Sequence, residues 1–172
     1  MLMCAHHPNI NFLGVSTVHG NASLDHTTKN ASSVLIAFGR TDVPIHPGAD
    51  KPFCRRAVHA PNIHGTSGLD GTDLLPPPVD TVASSSGSIP AVTAMYEALK
   101  TQPPGTAWIV ATGALTNVAL LVAVYPDIVS HVAGVSIMGG AIGGSRSHAD
   151  IGHVAGEAPS QPRIGNVPDI GV

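Results

Sequence analysis

Aromatic side chains are scarce in this sequence: they make up 3 % of the 172 residues, although 43 % of the residues are hydrophobic. The core must therefore consist of valine, isoleucine, leucine and alanine, a composition that suits parallel strands covered on both faces by helices. Charged residues are also few, at 11 %, and the net charge is −3. This balance gives no electrostatic reason to expect nucleic acid or an anionic membrane as a partner. So low a charge content indicates a surface that more protein normally covers.

Several site classes lack the residues that they need. The two cysteines, Cys4 and Cys54, form no metal-binding or redox spacing, and the ten histidines show no zinc spacing. Neither G-x-G-x-x-G nor G-x-x-x-x-G-K-[ST] occurs, so a phosphate-cradling loop is unsupported, and no G-x-S-x-G elbow indicates a serine hydrolase. No apolar run approaches the roughly 20 residues of a membrane span, and residues 1–5 do not resemble a signal peptide. We therefore expect a cytoplasmic protein.

Apolar periodicity predicts alternating strands and helices, with a long loop-rich stretch at 51–88. This alternation indicates an α/β fold with an open, mostly parallel sheet, helices on both faces and right-handed crossovers. Residues 1–10 resemble the last turns of a helix, and the chain is predicted to be irregular from 141 onward. The predicted strands are 11–18, 42–46, 106–113 and 132–140, and the predicted helices are 23–38, 89–100 and 115–126.

Three of the predicted strands end in turns of small residues: VHGN at 18–21, ATGALTN at 111–117 and MGGAIGG at 138–144. Ligands of open α/β sheets bind beyond the carboxyl ends of the strands, and glycine lets the backbone approach a ligand closely. A single glycine after a strand is more often only a turn. Three such turns on one edge of a sheet indicate one shared ligand site.

These turns belong to a longer set of motifs that resembles the inosine/uridine-preferring nucleoside hydrolases, particularly the fungal ribonucleoside hydrolase type. The motifs are NINFLGVSTVHGNASLDHTTKNA, NIHGTSGLDG, ATGALTNVAL and SIMGGAIGG, in the order of the family. The resemblance extends over most of residues 5–166. It implies hydrolysis of the N-glycosidic bond of a ribonucleoside, such as inosine or uridine, to ribose and a free base. It also implies a calcium ion, suited to ribose hydroxyls and water as ligands, and a possible homo-oligomer.

The resemblance also implies roles for five residues, and none of them is catalytic. Asn21 and Asn166 match positions that contact ribose, and Met138 matches a residue that lines the ribose. His64 matches a histidine that reaches the base side of the pocket. Thr112 matches the position whose backbone carbonyl coordinates calcium.

Structural roles remain open for four of these residues. Asn21 could instead cap the helix that begins near Ser23, since asparagine and serine both cap helices readily. His64 could be an ordinary loop histidine, and Met138 could fill the core. Thr112 would act through its backbone, so its side chain says little.

No residues of this sequence match the carboxylate-bearing segments that the resemblance leads us to expect. The family's D-x-D-x-x-x-D-D segment would precede residue 1, its E-F-N segment and His-Asp pair would follow Asn166, and the first acidic residue here is Asp25. We therefore expect residues 1–172 to form a partial nucleoside hydrolase domain, without the first strand and the C-terminal part. Alone, such a chain should be inactive and marginally stable. The alternative is a non-catalytic pseudoenzyme or interaction module derived from the family.

Overall fold

Short helices and strands alternate along the chain in the computed structural model, which describes residues 1–79 and 89–139. The strands are β1 (Val15–Thr17), β2 (Ile45–Pro47), β3 (Trp108–Ala111) and β4 (Gly134–Ile137). The helices are α1 (Leu2–His6), α2 (Leu24–Ala37), α3 (Pro61–His64), α4 (Ala91–Lys100), α5 (Thr116–Val124) and α6 (Ile128–His131). The predicted α/β class is confirmed.

The strands form two parallel pairs within the described residues, β1 with β2 and β3 with β4. Ser16 is opposite His46 in the first pair, and Ile109 is opposite Val135 in the second. No backbone ladder joins β1 to β3 in the part of the chain that the structure describes. The predicted parallel pairing is thus present, but other contacts must hold the two pairs in register.

Helix boundaries agree with the prediction more closely than strand boundaries do. The Ser23 hydroxyl accepts a hydrogen bond from the His26 amide at 3.4 Å and caps α2, while Gly39, with a φ of 68°, follows its C-terminus. The strands are three or four residues long because only those residues share a ladder with a neighbour. Two single-turn helices, α3 and α6, were not predicted, and α3 lies in the stretch predicted to be loop.

The apolar core consists of two aliphatic clusters, one under each strand pair. The first joins Ala31 and Leu35 of α2 to Val43 and Ile45, and the second centres on Leu121 and Ile128. Leu121 is fully buried, with no exposed surface, and Leu35 is 2 % exposed. Because aromatic residues are few, aliphatic packing makes up most of both clusters, as the composition predicted.

The apolar run 106–113 predicts a buried strand, and 115–126 predicts an amphipathic to fully buried helix. The first prediction is wrong for one face of β3, and α5 is buried on one side only. Ile109 and Ala111 are buried, but Trp108 and Val110, which alternate with them along β3, are 61 % and 58 % exposed. Val124 of α5 is 56 % exposed. Apolar side chains are buried only where another element lies against them, and the described residues cover only one side of β3 and of α5.

Within residues 1–79 and 89–139, no helix has both the length and the apolar character needed to cross a membrane.

Candidate functional site

The carboxyl ends of β1 and β2 form one edge, held by backbone hydrogen bonds between the two turns that follow these strands. The Gly48 amide donates to the Thr17 carbonyl at 2.9 Å, and the His19 amide donates to the Ala49 carbonyl at 3.0 Å. The turn 18–21 therefore lies beside the turn 48–50. This arrangement agrees with the rule that ligand-binding turns of parallel sheets meet at the carboxyl ends of their strands.

Asn117, in the first turn of α5, attaches the turn after β3 to the same edge. Its side chain is 4 % exposed, and its Nδ2 donates to the Thr17 carbonyl at 2.8 Å and to Ser16 Oγ at 2.7 Å. Its Oδ1 accepts from the Ala49 amide at 2.9 Å. Sequence reasoning missed this residue, although it lies inside the quoted ATGALTN motif.

His19 was also missed, although it lies inside the quoted VHGN motif. Its side chain is 2 % exposed, and its Nε2 lies 3.3 Å from Thr116 Oγ1. Thr116 itself is 3 % exposed and precedes Asn117 in α5. The only sequence signal for burial of His19 was its position directly after an apolar strand.

Asn21 and His64 are linked through one residue, Ala60. The Ala60 amide donates to the Asn21 carbonyl at 2.9 Å, and the His64 amide donates to the Ala60 carbonyl at 3.0 Å. The helix-cap interpretation of Asn21 is wrong, since Ser23 is the cap and Asn21 is exposed. His64 is half-buried and ends α3, so it belongs to a helical turn rather than to an irregular loop.

Thr112 and Met138 follow the ends of the neighbouring strands β3 and β4. The Met138 amide donates to the Ala111 carbonyl at 2.9 Å, and Thr112 comes directly after Ala111. Thr112 is exposed and Met138 is 66 % exposed, so the core-filler interpretation of Met138 is wrong. Asn166, the fifth predicted site residue, lies outside the described residues.

The carboxylate of Asp70 organises the loop that follows α3. It accepts hydrogen bonds from the Thr66 amide at 2.8 Å and the Ser67 amide at 3.0 Å, and also from the Ser67 hydroxyl. The Ser67 hydroxyl is the main cause that lowers the pKa of Asp70 below its usual range, followed by the two amides. Asn30 Nδ2 donates to the Ser67 carbonyl at 2.8 Å, which fastens this loop to α2.

The described residues do not fit the calcium ion that the resemblance implies. No group of three or more histidine, cysteine, aspartate or glutamate side chains in the described ranges could hold a metal ion. Asp25 pairs with Lys29 at 2.8 Å, and Asp127 lies 3.2 Å from Lys100. A carbonyl such as that of Thr112 is a suitable calcium ligand, but calcium needs six to eight oxygen atoms.

The family model for inosine-uridine preferring nucleoside hydrolases matches residues 1–168 of the chain. The chain belongs to this family. The resemblance predicted from the four motifs is therefore confirmed.

Two curated relatives carry specific activities in their names. Uridine nucleosidase of Saccharomyces cerevisiae is 40 % identical over 145 residues, which cover 84 % of this chain and 42 % of the relative. A pyrimidine-specific ribonucleoside hydrolase of Shewanella sp. strain MR-7 is 37 % identical over 143 residues, which cover 83 % and 43 % of the two chains. The chain thus spans about two fifths of the length of these relatives.

Solved structures give the same picture of the fold. The purine-preferring ribonucleoside hydrolase of Gardnerella vaginalis superposes with a TM-score of 0.72 at 21 % identity, over 87 % of this chain and 48 % of that one. A plant nucleoside hydrolase gives a TM-score of 0.68 at 26 % identity, with the same coverage of both chains. The likeness to the bacterial enzyme supports the fold alone. Together they confirm that the described elements form part of the nucleoside hydrolase α/β fold.

Proposed function

We propose that this chain carries the ribose-facing edge of a ribonucleoside hydrolase, an enzyme that cleaves the N-glycosidic bond of inosine, uridine or a similar nucleoside. The observation that carries the proposal is the convergence of the turns after β1, β2 and β3 through Asn117 and their shared backbone hydrogen bonds. Family membership supplies the class of reaction. The substrate is a small neutral molecule, in agreement with a chain of net charge −3 that has no basic excess.

The proposed roles follow from the chemistry of the side chains at this edge. Asn21 offers an amide that can both donate to and accept from ribose hydroxyls, and Met138 offers an exposed apolar surface to the sugar. His64 can donate to the departing base, since an oxocarbenium-like transition state is favoured when the leaving group is protonated. Asn166 is proposed as a second ribose contact from the family motif alone.

Calcium belongs to the proposal only for a complete family domain, where it would supply an activated water. Thr112 would contribute its carbonyl there. The described residues hold no set of carboxylates for the ion, so we assign no catalytic step to this chain. We propose that residues 1–172 alone are inactive and serve to bind and orient the nucleoside.

Two assays on the purified 172-residue chain test these statements separately. Ribose release from inosine and uridine is measured with calcium and with a chelator, and we expect no release above buffer under either condition. Calcium-dependent release would refute the proposed inactivity. Uridine nucleosidase from Saccharomyces cerevisiae serves as the positive control for the assay.

Binding is followed by NMR titration of the labelled chain with inosine and with uridine. We expect amide shifts at 18–21 and 112–116, which Asn21→Ala should weaken, while Asn9→Ala, a change at another exposed asparagine, should leave them unchanged. Absence of shifts at millimolar nucleoside would mean that this chain does not hold the sugar. It would then favour the alternative function.

That alternative is a non-catalytic pseudoenzyme or interaction module. The exposed apolar side chains Trp108, Val110 and Val124 favour it, because soluble proteins commonly cover such surfaces with other protein. Sedimentation of the chain, alone and mixed with an active relative, distinguishes a monomer, a homo-oligomer and a mixed complex. A cytoplasmic location remains part of the proposal.

A further inference from the structure

One buried amide, that of Asn117, bonds to polar groups from both sides of the β1–β2 edge. Its three hydrogen bonds reach Ser16, Thr17 and Ala49, at 2.7 to 2.9 Å. Two of these partners lie about a hundred positions earlier in the chain, separated from Asn117 by 101 and 100 residues. The amide thus ties the first turn of α5 to the strand pair that carries the turn 18–21.

We propose that Asn117 is the positioning residue of this edge, which holds the turn after β3 in one fixed arrangement against the turns after β1 and β2. The two strand pairs share no ladder in the described part of the chain; α4 lies near β1 and β2, and its Leu99 belongs to the apolar cluster that contains Ile109 of β3. Packing is non-directional, whereas three hydrogen bonds to one planar group define both distance and orientation. The inference rests on the proposed function only where it calls this edge ribose-facing.

The chemistry of the contacts requires an amide in particular. Asn117 donates two bonds and accepts one, so its partners need donors and an acceptor on the same short side chain. Aspartate has the same shape but, when ionised, only accepts hydrogen bonds. In Asn117→Asp, the ionised carboxylate would face the carbonyl oxygen of Thr17 in a site that is 4 % exposed.

Gly48 leaves room for the amide. A Cβ atom built on Gly48 would lie 2.3 Å from both Nδ2 and Oδ1 of Asn117. The backbone of Gly48 is not left-handed, so space rather than conformation accounts for glycine at this position. The turn after β2 is therefore shaped around the side chain of Asn117.

The test compares Asn117→Asp with Asn117→Ala in the full 172-residue chain, by thermal unfolding between pH 4.5 and 8. Burial and the Thr17 carbonyl should raise the pKa of the new carboxyl group, so the aspartate variant should be protonated at low pH and able to donate again. We expect its melting temperature to lie roughly 4–8 °C below the parent at pH 8, and this difference to shrink as the pH falls. The alanine variant should show a deficit that does not change with pH.

Each variant's melting temperature is compared with that of the parent at the same pH, because this comparison cancels the effect of neighbouring titratable groups that both chains share. In the described residues these are His19, whose ring lies beside Thr116, His46, which is opposite Ser16, and Asp50, which follows Ala49. Asn62→Asp, at an exposed position in α3, is the matched control and should show no deficit that grows with pH. Equal, pH-independent deficits in the aspartate and alanine variants would overturn the proposal, since Asn117 would then only fill space.

A measurement on the parent chain keeps the proposal testable if the variants do not fold. The Ala49 amide, which donates to Asn117, should exchange with solvent as slowly as the core amide of Ile109, even though the turn 48–50 is only partly covered. Exchange at Ala49 about tenfold or more faster than at Ile109 would overturn the proposal. Neither measurement uses substrate, so failure of the tether and failure of the proposed function are distinguishable.

Discussion

The close approach of Gly48 to Asn117 gives a quantitative prediction for a single methyl group. In Gly48→Ala, the added Cβ would lie 2.3 Å from the two polar atoms of the Asn117 amide, a distance that no pair of non-bonded heavy atoms tolerates. Either the turn 48–50 or the Asn117 side chain must then move. The amide is fixed by three hydrogen bonds, so its displacement breaks some of them.

The expected cost follows from those bonds. Loss of two or three hydrogen bonds at about 1 kcal/mol each gives a destabilisation of about 2–3 kcal/mol for Gly48→Ala. In an Asn117→Ala background the obstructing atoms are gone, and the same change should cost almost nothing. Replacement of glycine at a permitted conformation can even stabilise by about 0.4–1 kcal/mol through the unfolded chain. The two changes should therefore be strongly non-additive.

Urea unfolding of the parent, the two single variants and the double variant measures this coupling directly. We expect a coupling energy of about 2 kcal/mol or more. Gly71→Ala is unsuitable as a control because Gly71 has a φ of 131°, whereas Gly20→Ala adds a methyl group with no atom within 4 Å. Additive effects of Gly48→Ala and Asn117→Ala would refute the contact on which the reasoning rests.

Two further predictions concern the core and the loop after α3. Leu121→Ala should destabilise the chain by about 3 kcal/mol, because Leu121 is fully buried. Leu74→Ala is the control and should have no measurable effect, because Leu74 is 92 % exposed. Chemical denaturation of the two variants and the parent measures both changes in the free energy of unfolding. The pKa of Asp70 is lowered in the folded chain. Its bonds to Thr66 and Ser67 should therefore be fully formed at any pH above the usual pKa of aspartate, and they should be lost as the pH falls through the lowered pKa. The Thr66 and Ser67 amide signals should report this titration in NMR spectra, and Asp70→Asn should abolish it; a titration at the usual aspartate pKa would contradict the described loop.

Much of the fold was predictable because local rules govern it. The apolar spacing of α2 predicted that helix to within one residue at either end, since this signal acts over a few residues. The strands were predicted longer than they are, because extended sequence becomes a strand only where a neighbour supplies its ladder. The short helix α3 was missed because a single turn that begins at Pro61 has too few residues for periodicity to show.

The candidate site was predictable only in part. The family followed from motifs in a fixed order, and the turns at 18–21 and 111–117 do meet at one edge. Most of the third predicted turn, 138–144, lies outside the described residues, although Thr112 and Met138 do follow neighbouring strands. The role of Asn21 as a cap was wrong, because the serine two residues later takes that position. No sequence pattern indicated Asn117, since its partners lie far away in the chain.

The amino-acid sequence by itself determined the α/β class, the aliphatic character of the core and the family, because composition, periodicity and ordered motifs are properties of the linear chain. The tertiary structure alone decided that His19 and Asn117 are buried and that Trp108 is not. Burial depends on which element lies against a side chain, and hydrogen bonds across a hundred residues exist only after the chain has folded. For the same reason, glycine at position 48 can be explained only from the folded structure, where the Asn117 amide occupies the space that a Cβ atom would need.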